Sequence, residues 1–245
     1  MRRHLLSSAV LLASTTLLLP ACKAKTVELS GRVYQGLLQD AVAGGADLSV
    51  LSFEGETLGQ TTTDSDGFFT VEVPEDVNVF VRIDAAGAPS TTFAGVVSLF
   101  DETLPDYYLY VLPDADVAEV EGWFEGCERG KGPGIVMGEV RHQDLVDRDG
   151  DYAINTAGQV KLLLEDGTER TACYLDADGE AYDPDALLVG DSGRFAILGV
   201  PAGLHTLDVG FDATLQQRAV QQYPVLIVDD PSVSPWFPAW VTLPE

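Results

Sequence analysis

Short runs in which apolar and polar residues alternate recur along this chain about every ten residues. The clearest run follows an acidic turn, Asp64-Ser65-Asp66-Gly67, after which Phe69 and Val71 share one face and Pro74 ends the run. None of the runs keeps the helical period of about 3.6 residues. The pattern therefore predicts short antiparallel strands connected by turns that contain Gly and Asp, as in a β-sandwich.

The same pattern occurs a second time in the C-terminal half. There the turn is Gly190-Asp191-Ser192-Gly193, and an alternating strand around Phe195 follows it. The segments before the two turns also correspond in order, and the second copy is longer where its Asp residues concentrate. The sequence therefore predicts two similar modules, at residues 26–112 and 135–245, joined by a linker at 113–134.

The first module combines a Gly-x-Val strand, a Gly-Ala-x-Leu-x-Val strand and a Thr-Asp-x-Asp-Gly-x-Phe turn with a closing strand that ends in Pro. The residues that form this combination are Gly31, Val33, Gly45, Ala46, Leu48, Val50, Thr63, Asp64, Asp66, Gly67, Phe69 and Pro74. The combination resembles the carboxypeptidase regulatory-like domain, and the second module resembles a divergent member of that family. The resemblance implies an accessory or binding domain with a prealbumin-type, carbohydrate-binding-like fold. The predicted fold class is all-β, with two antiparallel seven-stranded Greek-key β-sandwiches in tandem.

The N-terminus is typical of a secretory signal peptide. A basic start precedes an apolar stretch, Leu5–Leu19, that is too short to span a bilayer. The residues Leu19-Pro20-Ala21-Cys22 resemble the lipobox of bacterial lipoproteins. The resemblance implies that residues 1–21 are removed and that Cys22 becomes the acylated first residue, which attaches the protein to a membrane through its acyl chains. An ordinary signal peptide, in which Cys22 is incidental, is the alternative.

The residue after this cysteine bears on which membrane is reached. It is Lys23 rather than Asp, and in lipoproteins of Gram-negative bacteria this does not direct retention in the inner membrane. The predicted location is therefore the bacterial outer membrane, on its periplasmic or surface face.

The composition is strongly acidic. Lys and Arg number 14 against 39 Asp and Glu, for a formal net charge of −25 at pH 7. Nucleic acids and anionic lipid head groups are bound through clustered Lys and Arg, so an acidic surface repels both. The charge excludes nucleic-acid binding, and it leaves solubility and cation binding as two interpretations of the acidity.

Besides Cys22, two cysteines remain, Cys127 and Cys173. In an oxidising compartment this even number favours a disulfide between them, which would stabilise the fold by about 4 kcal/mol. The alternative is a core cysteine at 173 and a free Cys127 in the linker.

Residues suited to catalysis do not form a recognisable set. Gly190–Gly193 resembles the nucleophile loop of chymotrypsin-type proteases, but the residues that follow it differ from that family. A Ser nucleophile needs a His base, and beyond the signal peptide the chain contains only His142 and His205. No His-x-x-Glu pair occurs that could begin a zinc carboxypeptidase site. The sequence therefore predicts a protein that is not an enzyme.

Two acidic stretches in the second module are candidates for a shared Ca²⁺ site. Their carboxylates are Asp144, Asp147, Asp149, Asp151, Asp176, Asp178, Asp183 and Asp185. The alternating carboxylates of the first stretch are similar to the start of a calcium loop, although Tyr152 and Gly158 stand where an EF-hand needs Gly and Glu. The alternative is a pair of solvated acidic loops, and no other cofactor is predicted.

The C-terminal run from Trp236 to Leu243 alternates cleanly if it is extended. This places Trp236 and Trp240 on the outer face of a strand, about 13 Å apart. Exposed Trp residues can stack on sugar rings or on a protein partner, so the pair is a candidate ligand platform. Packing against the neighbouring module is the alternative.

Together these features favour a non-catalytic lipoprotein of the cell envelope that binds a carbohydrate or a protein. The alternative is a calcium-stabilised structural spacer at the outer membrane. An enzyme is disfavoured, because no acid, base and nucleophile converge in the pattern.

Overall fold

The computed structural model describes residues 25–37, 41–75, 77–95, 104–146, 152–154, 158–211 and 220–241. The predicted signal peptide and Cys22 lie outside the described residues, so the lipid anchor stays a prediction. Within the described ranges the chain is mostly strand with one short helix, and the strands form three sheets. The all-β prediction is confirmed.

The first half of the chain forms two facing sheets. Its strands are β1 (Thr26–Gln35), β2 (Ala41–Val42), β3 (Asp47–Ser52), β4 (Thr57–Thr62), β5 (Phe68–Pro74), β6 (Val79–Asp84), β7 (Ser90–Gly95) and β8 (Leu104–Val111). β1 lies between β5, which is antiparallel to it, and β8, which is parallel. β6 lies between β3 and β7, and β3 also pairs with β4. Inward side chains of both sheets, such as Leu29, Val50, Phe69 and Ile83, form one apolar core.

The second half repeats this arrangement. Its strands are β9 (Gly134–Val146), β10 (Tyr152–Ile154), β11 (Gly158–Leu163), β12 (Glu169–Thr171), β13 (Cys173–Tyr174), β14 (Arg194–Val200), β15 (Gly203–Phe211), β16 (Val220–Ile227) and β17 (Ser232–Val241). β9 lies between antiparallel β14 and parallel β17, and β15 lies between β11 and β16. Val160, Tyr174, Phe195 and Leu207 belong to the core of this half.

Strand pairing corresponds between the halves one strand at a time. β9, β14 and β17 take the places of β1, β5 and β8, while β11, β12, β15 and β16 take those of β3, β4, β6 and β7. The correspondence extends to single residues, because Gly31 faces Phe69 in one half and Gly138 faces Phe195 in the other. The two turn-and-strand motifs of the sequence therefore occupy the same place in two similarly paired sets of strands.

β17 connects the two halves. Besides its pairing with β9, it pairs in parallel with β7 of the first half, where Ser232 faces Ser90 and Val233 faces Thr91. A nine-stranded sheet therefore runs through both halves, with eight strands in the order β13-β14-β9-β17-β7-β6-β3-β4 and the ninth, β10, paired with β9. The sequence predicts purely antiparallel sandwiches, but the β1–β8, β9–β17 and β7–β17 pairs are parallel. Side chains alternate in the same way in both kinds of pairing, so the pattern does not distinguish them.

A helix lies within the segment predicted as a linker. α1 (Asp114–Trp123) has Asp114 and Asp116 in its first turn, where carboxylates complement the helix dipole. Oδ2 of Asp116 accepts a hydrogen bond from the N–H of Leu37 at 3.0 Å, which ties the helix to the end of β1. Val120 is the buried residue of the helix. With so little of its surface buried, the helix leaves no apolar stripe in the sequence.

An apolar cluster lies where the helix and the two halves meet. Its buried members are Tyr110, Leu112, Val120, Phe124, Ile135, Met137, Leu175, Ala196, Leu198 and Val233. They come from β8 and the residue after it, from the helical segment, and from strands of the second half together with Leu175 just after β13. The halves therefore pack against each other as well as sharing a sheet.

Candidate functional site

The turn before β5 fixes the position of Phe68, the first residue of that strand, whose aromatic side chain is exposed. Oδ1 of Asp64 accepts hydrogen bonds from the N–H groups of Asp66 and Phe68, both at 2.9 Å. Gly67 has φ +80°, and a Cβ there would lie 2.7 Å from the carbonyl oxygen of Val33, so only Gly fits. The acidic motif is therefore part of the scaffold, and it presents Phe68 with a side chain that is 50% exposed.

Arg32 lies opposite Phe68 in the register of β1 and β5. Its Nε donates a hydrogen bond to the carbonyl oxygen of Asp66 at 2.7 Å. Its guanidinium carbon lies 4.8 Å from the ring centre of Phe68 and 5.2 Å from that of Tyr34. Attraction between a cation and aromatic ring faces stabilises this arrangement. The result is a positively charged group held between two aromatic rings on the outer face of a sheet.

The charge of Arg32 is not neutralised by a carboxylate of the described chain. The other described arginines are bonded to acceptors, namely Arg82 to Asp84, Arg129 to Glu121, Arg141 and Arg194 to Glu139, and Arg170 to the carbonyl groups of Glu128 and Gly199. Arg32 takes part in none of the ion pairs among the described residues. In a protein of net charge −25, an arginine without a carboxylate partner is available to an anionic ligand.

The same face continues with polar side chains. Next to Arg32 and Phe68, Ser30 faces Thr70, and beyond them Glu28 faces Glu72. All six side chains point away from the core, because the alternate residues of both strands are buried. We call the surface formed by Glu28, Ser30, Arg32, Phe68, Thr70 and Glu72 the β1–β5 face.

The β1–β5 face was not found from the sequence. Its signal was the outward positions of the two alternating strands, where Arg32 and the first Phe of the Phe68-Phe69 pair stand. These positions face each other only in the register that the turn imposes, and the alternating pattern does not give the register.

The predicted calcium residues are described only in part. Asp147, Asp149 and Asp151 and the side chain of Asp144 lie outside the described residues. In the second stretch, Oδ1 of Asp176 accepts a hydrogen bond from the N–H of Glu180 at 3.0 Å, and Oδ1 of Asp183 accepts one from the N–H of Asp185 at 2.9 Å.

These bonds show what the second acidic stretch does within the fold. Two of its carboxylates order their own loop, as Asp side chains commonly do in turns. Asp176, Asp178, Asp183 and Asp185 are not gathered into a metal site, and no group of three or more His, Cys, Asp or Glu in the described ranges is placed to hold a metal ion. A calcium site shared with the first acidic stretch stays a prediction.

The predicted tryptophan platform is described at the level of the backbone. In the parallel pairing of β17 with β9, Trp236 lies beside Gly138 and Trp240 beside Arg141, with a shift of register between Trp236 and Ala239. The regular alternation on which the prediction depends is therefore interrupted within β17. The side chains of both tryptophans lie outside the described residues, and the platform stays a prediction.

The two remaining cysteines are joined. A disulfide connects Cys127, just beyond α1, with Cys173 of β13, and their Cα atoms are 6.1 Å apart. The bond attaches the helical segment to the second half.

Side chains that resemble catalytic residues have structural partners. The Oγ of Ser192 accepts a hydrogen bond from the N–H of Arg194 at 3.3 Å within the turn. His205 is buried, its Nδ1 accepts a hydrogen bond from the N–H of Glu165 at 3.2 Å, and its Nε2 lies 2.8 Å from the carbonyl oxygen of Pro201. Both ring nitrogens are thus bonded to the backbone, so His205 is not placed to act as a base for Ser192.

In the part of the chain that the structure describes, no helix has the length and apolar character needed to cross a bilayer.

Comparisons with known proteins found similar solved structures, whereas no protein-family model and no curated protein matches the sequence. The TIE protein of Bacillus anthracis is 10% identical with a TM-score of 0.28, over 89% of this chain and 34% of that one. A variant of the shaft pilin SpaA of Lactobacillus rhamnosus GG is 11% identical with a TM-score of 0.27, over 86% of this chain and 96% of the pilin. GBS52, the minor pilin of Streptococcus agalactiae, is 12% identical with a TM-score of 0.25, over 88% and 94%. The chain spans about a third of the TIE protein, and similarity at this level transfers the function of none of these proteins to it.

Proposed function

We propose that this protein is a non-catalytic binding module of the bacterial cell envelope. It is held at the outer membrane by acyl chains on Cys22, and its body consists of two copies of a seven-stranded Greek-key sandwich of the carboxypeptidase regulatory-like type. The matching strand pairs of the two halves support the duplication. The lipobox-like Leu19-Pro20-Ala21-Cys22 supports the anchor.

The observation that carries the binding role is the β1–β5 face. It combines a half-exposed aromatic ring, a cation held between two rings and exposed hydrogen-bonding side chains. Folding alone does not require this combination, because the contacts of an exposed arginine, whether with carboxylates or with ring faces, each contribute only about 1 kcal/mol or less to stability. We assign the face to ligand binding for this reason.

The position of the face along the chain also fits an envelope ligand. β1 begins at Thr26, close behind Cys22, and Arg32 lies ten residues beyond that cysteine. An extended chain of that length spans at most about 36 Å. An acylated Cys22 would therefore keep the face near the membrane surface, within reach of ligands in the envelope.

The anchor is tested by fractionating cells that produce the wild-type chain or Cys22→Ala. The proposal expects the wild type in the membrane fraction and the variant in the soluble fraction. A Cys22→Ala protein that stays with the membranes would rule out acylation as the anchor.

The binding role is tested by capture of envelope components on the detergent-solubilised full chain, with and without calcium. We expect a component that is retained by the wild type and lost with Phe68→Ala. Capture that does not depend on Phe68 would remove the β1–β5 face from the binding role. Absence of any captured component, together with a rise in melting temperature on adding calcium, would favour the spacer.

A further inference from the structure

We infer that the β1–β5 face binds a short oligosaccharide with one carboxylate-bearing sugar at its end. The inference rests on the proposed binding function and specifies the ligand of that same face. Three successive cross-strand pairs form the face, Arg32 with Phe68, Ser30 with Thr70, and Glu28 with Glu72.

The first pair provides the site for the carboxylate. Nε of Arg32 is used by the carbonyl oxygen of Asp66. Its terminal nitrogens Nη1 and Nη2 have no hydrogen-bond acceptor among the described residues, so they are free to donate side by side. A planar guanidinium donates two parallel hydrogen bonds to one carboxylate, and stacking on Tyr34 and Phe68 limits its orientation before the ligand arrives. A carboxylate therefore binds here with little loss of side-chain freedom.

Phe68 provides the site for the sugar ring. Arg32 covers part of its surface, yet half of the side chain stays exposed. The C–H face of a pyranose is apolar and stacks on an aromatic ring, which removes exposed apolar area from water. The neighbouring Ser30 and Thr70 carry hydroxyl groups that donate and accept hydrogen bonds, as the hydroxyl groups of a sugar do.

The third pair disfavours an acidic polymer. Glu28 and Glu72 face each other directly, and like charges at this distance destabilise a sheet. Neither carboxylate forms an ion pair among the described residues. Carboxylates accept hydrogen bonds from neutral sugar hydroxyls and repel further negative charge. The face therefore selects a ligand that is anionic at the Arg32 end and neutral at the other.

The dimensions agree with a short oligosaccharide. Glu28 lies four residues before Arg32, which is a distance of about 13 Å along β1. An acidic peptide with repeated carboxylates would meet repulsion from Glu28 and Glu72 at the far end of this distance. A sugar chain with a single terminal uronic acid matches both ends.

Calorimetric titration of the full chain tests this inference, with glucuronosyl-xylobiose as the acidic probe. The matched probes are the same trisaccharide with its carboxylate reduced to an alcohol and a peptide of five glutamates. The wild type should bind the acidic trisaccharide at least tenfold more tightly than either of the others, because loss of a charge-assisted bidentate contact weakens binding by about tenfold or more.

Variants locate the binding to the face. Arg32→Lys keeps the charge but loses the planar donor pair, and Phe68→Ala removes the stacking ring, so each should weaken binding about tenfold. Glu28→Gln should weaken binding while raising the melting temperature, because it removes the repulsion with Glu72. A residue with a merely structural role would not produce that combination. Arg194→Lys is the matched control, since Arg194 is the arginine of the corresponding cross-strand pair in the second half, where it faces Glu139, and should leave the affinity unchanged.

Three outcomes would overturn the inference: no binding of the acidic trisaccharide at millimolar concentration, equal affinity in Arg32→Lys and Phe68→Ala, or equally tight binding of the peptide. Melting curves establish that the variants are folded. If Phe68→Ala is not folded, Arg32→Lys still tests the site. If these titrations fail while envelope capture still depends on Phe68, the ligand class is wrong and the binding function stands. If capture fails as well, the proposed function is wrong.

Discussion

The turns that precede β5 and β14 hold the backbone in the same way. In the first half the N–H of Val33 donates to the carbonyl oxygen of Gly67, and in the second half the N–H of Val140 donates to that of Gly193, both at 2.9 Å. Both glycines have positive φ, at 80° and 70°. The two motifs are therefore one scaffold element used twice.

The outward pair beside each turn differs. In the first half Arg32 faces Phe68, whereas in the second half Glu139 faces Arg194. Arg194 lies 3.8 Å from a carboxylate oxygen of Glu139, and its guanidinium lies over the ring of Trp123 of α1 at 5.3 Å. The same cross-strand pair of the scaffold thus carries a cation without a carboxylate partner on its first strand in the first half, and an ion-paired, partly covered cation on its other strand in the second half. The fold is kept while its surface chemistry changes.

The largest expected changes in stability test whether the two turn-and-strand motifs contribute equally to the fold. Phe69→Ala and Phe195→Ala each remove a buried ring at the same point of the repeat, since the two side chains are 4% and 1% exposed. Each variant should lose about 3–5 kcal/mol of unfolding free energy because a cavity replaces the ring. Denaturant unfolding measures both losses. A large loss for one variant beside a small loss for the other would break the equivalence.

The second largest expected effect comes from the disulfide, which is attached to the second half and has no counterpart among the described residues of the first. Cys127 and Cys173 are 46 residues apart in sequence, and the bond ties the helical segment to the second half only. The double variant Cys127→Ser with Cys173→Ser should lower the unfolding free energy by about 2–4 kcal/mol, through a less restricted unfolded chain. Wild-type protein unfolded in the presence of a thiol reductant is the control and should show the same decrease. A decrease in the variant that reductant does not reproduce would show that the serines perturb packing instead.

The sequence was informative where the physics is local. Alternation identified the strands, and the Asp-x-Asp-Gly turn marked the repeat because only Gly tolerates the backbone at Gly67. Parallel pairing of β17 with β7 joins Ser232 to Ser90, and no local pattern encodes a contact across so many residues. The helix was missed because it buries little more than Val120.

The candidate site was missed for a related reason. Arg32 and Phe68 face each other only through the register, so neither residue is conspicuous alone. The acidic stretches were conspicuous by composition, but Asp176 and Asp183 use their carboxylates to order a loop. Composition marks where charge accumulates, whereas a site depends on which side chains the strands bring together.

Alkaline pH should lower the stability of the protein through Tyr174, which lies in the core of the second half. The hydroxyl of Tyr174 accepts a hydrogen bond from the N–H of Val160 at 2.8 Å, and burial raises the pKa of Tyr174 to about 12. An unfolded Tyr has a pKa of about 10, so the folded state favours the neutral form of this side chain. The contribution of Tyr174 to the unfolding free energy should therefore be fully present below about pH 10 and be lost between about pH 10 and 12. Denaturant unfolding at a series of pH values should show a loss of roughly 2–3 kcal/mol from this group.

Tyr174→Phe provides the control for the alkaline loss. A phenylalanine at position 174 cannot ionise, so the stability of the variant should fall less over the same pH range. It should also be less stable than the wild type at neutral pH by about 1–3 kcal/mol, because the N–H of Val160 loses its partner. An unchanged pH profile in Tyr174→Phe would assign the alkaline loss to other groups.

The smallest expected effects have opposite signs in the two halves. Glu139→Gln leaves Arg141 and Arg194 without their shared carboxylate, and should cost about 1 kcal/mol because the pair is only partly exposed. Glu28→Gln removes a like-charge contact with Glu72 and should stabilise by about 0.2–0.5 kcal/mol. Both differences should shrink at high salt, since screening weakens partly exposed charge interactions. Paired denaturant titrations at low and high salt measure them. If Glu28→Gln destabilises as Glu139→Gln does, the carboxylates of the β1–β5 face stabilise the sheet, and the contrast between a structural ion pair and an unpaired face fails.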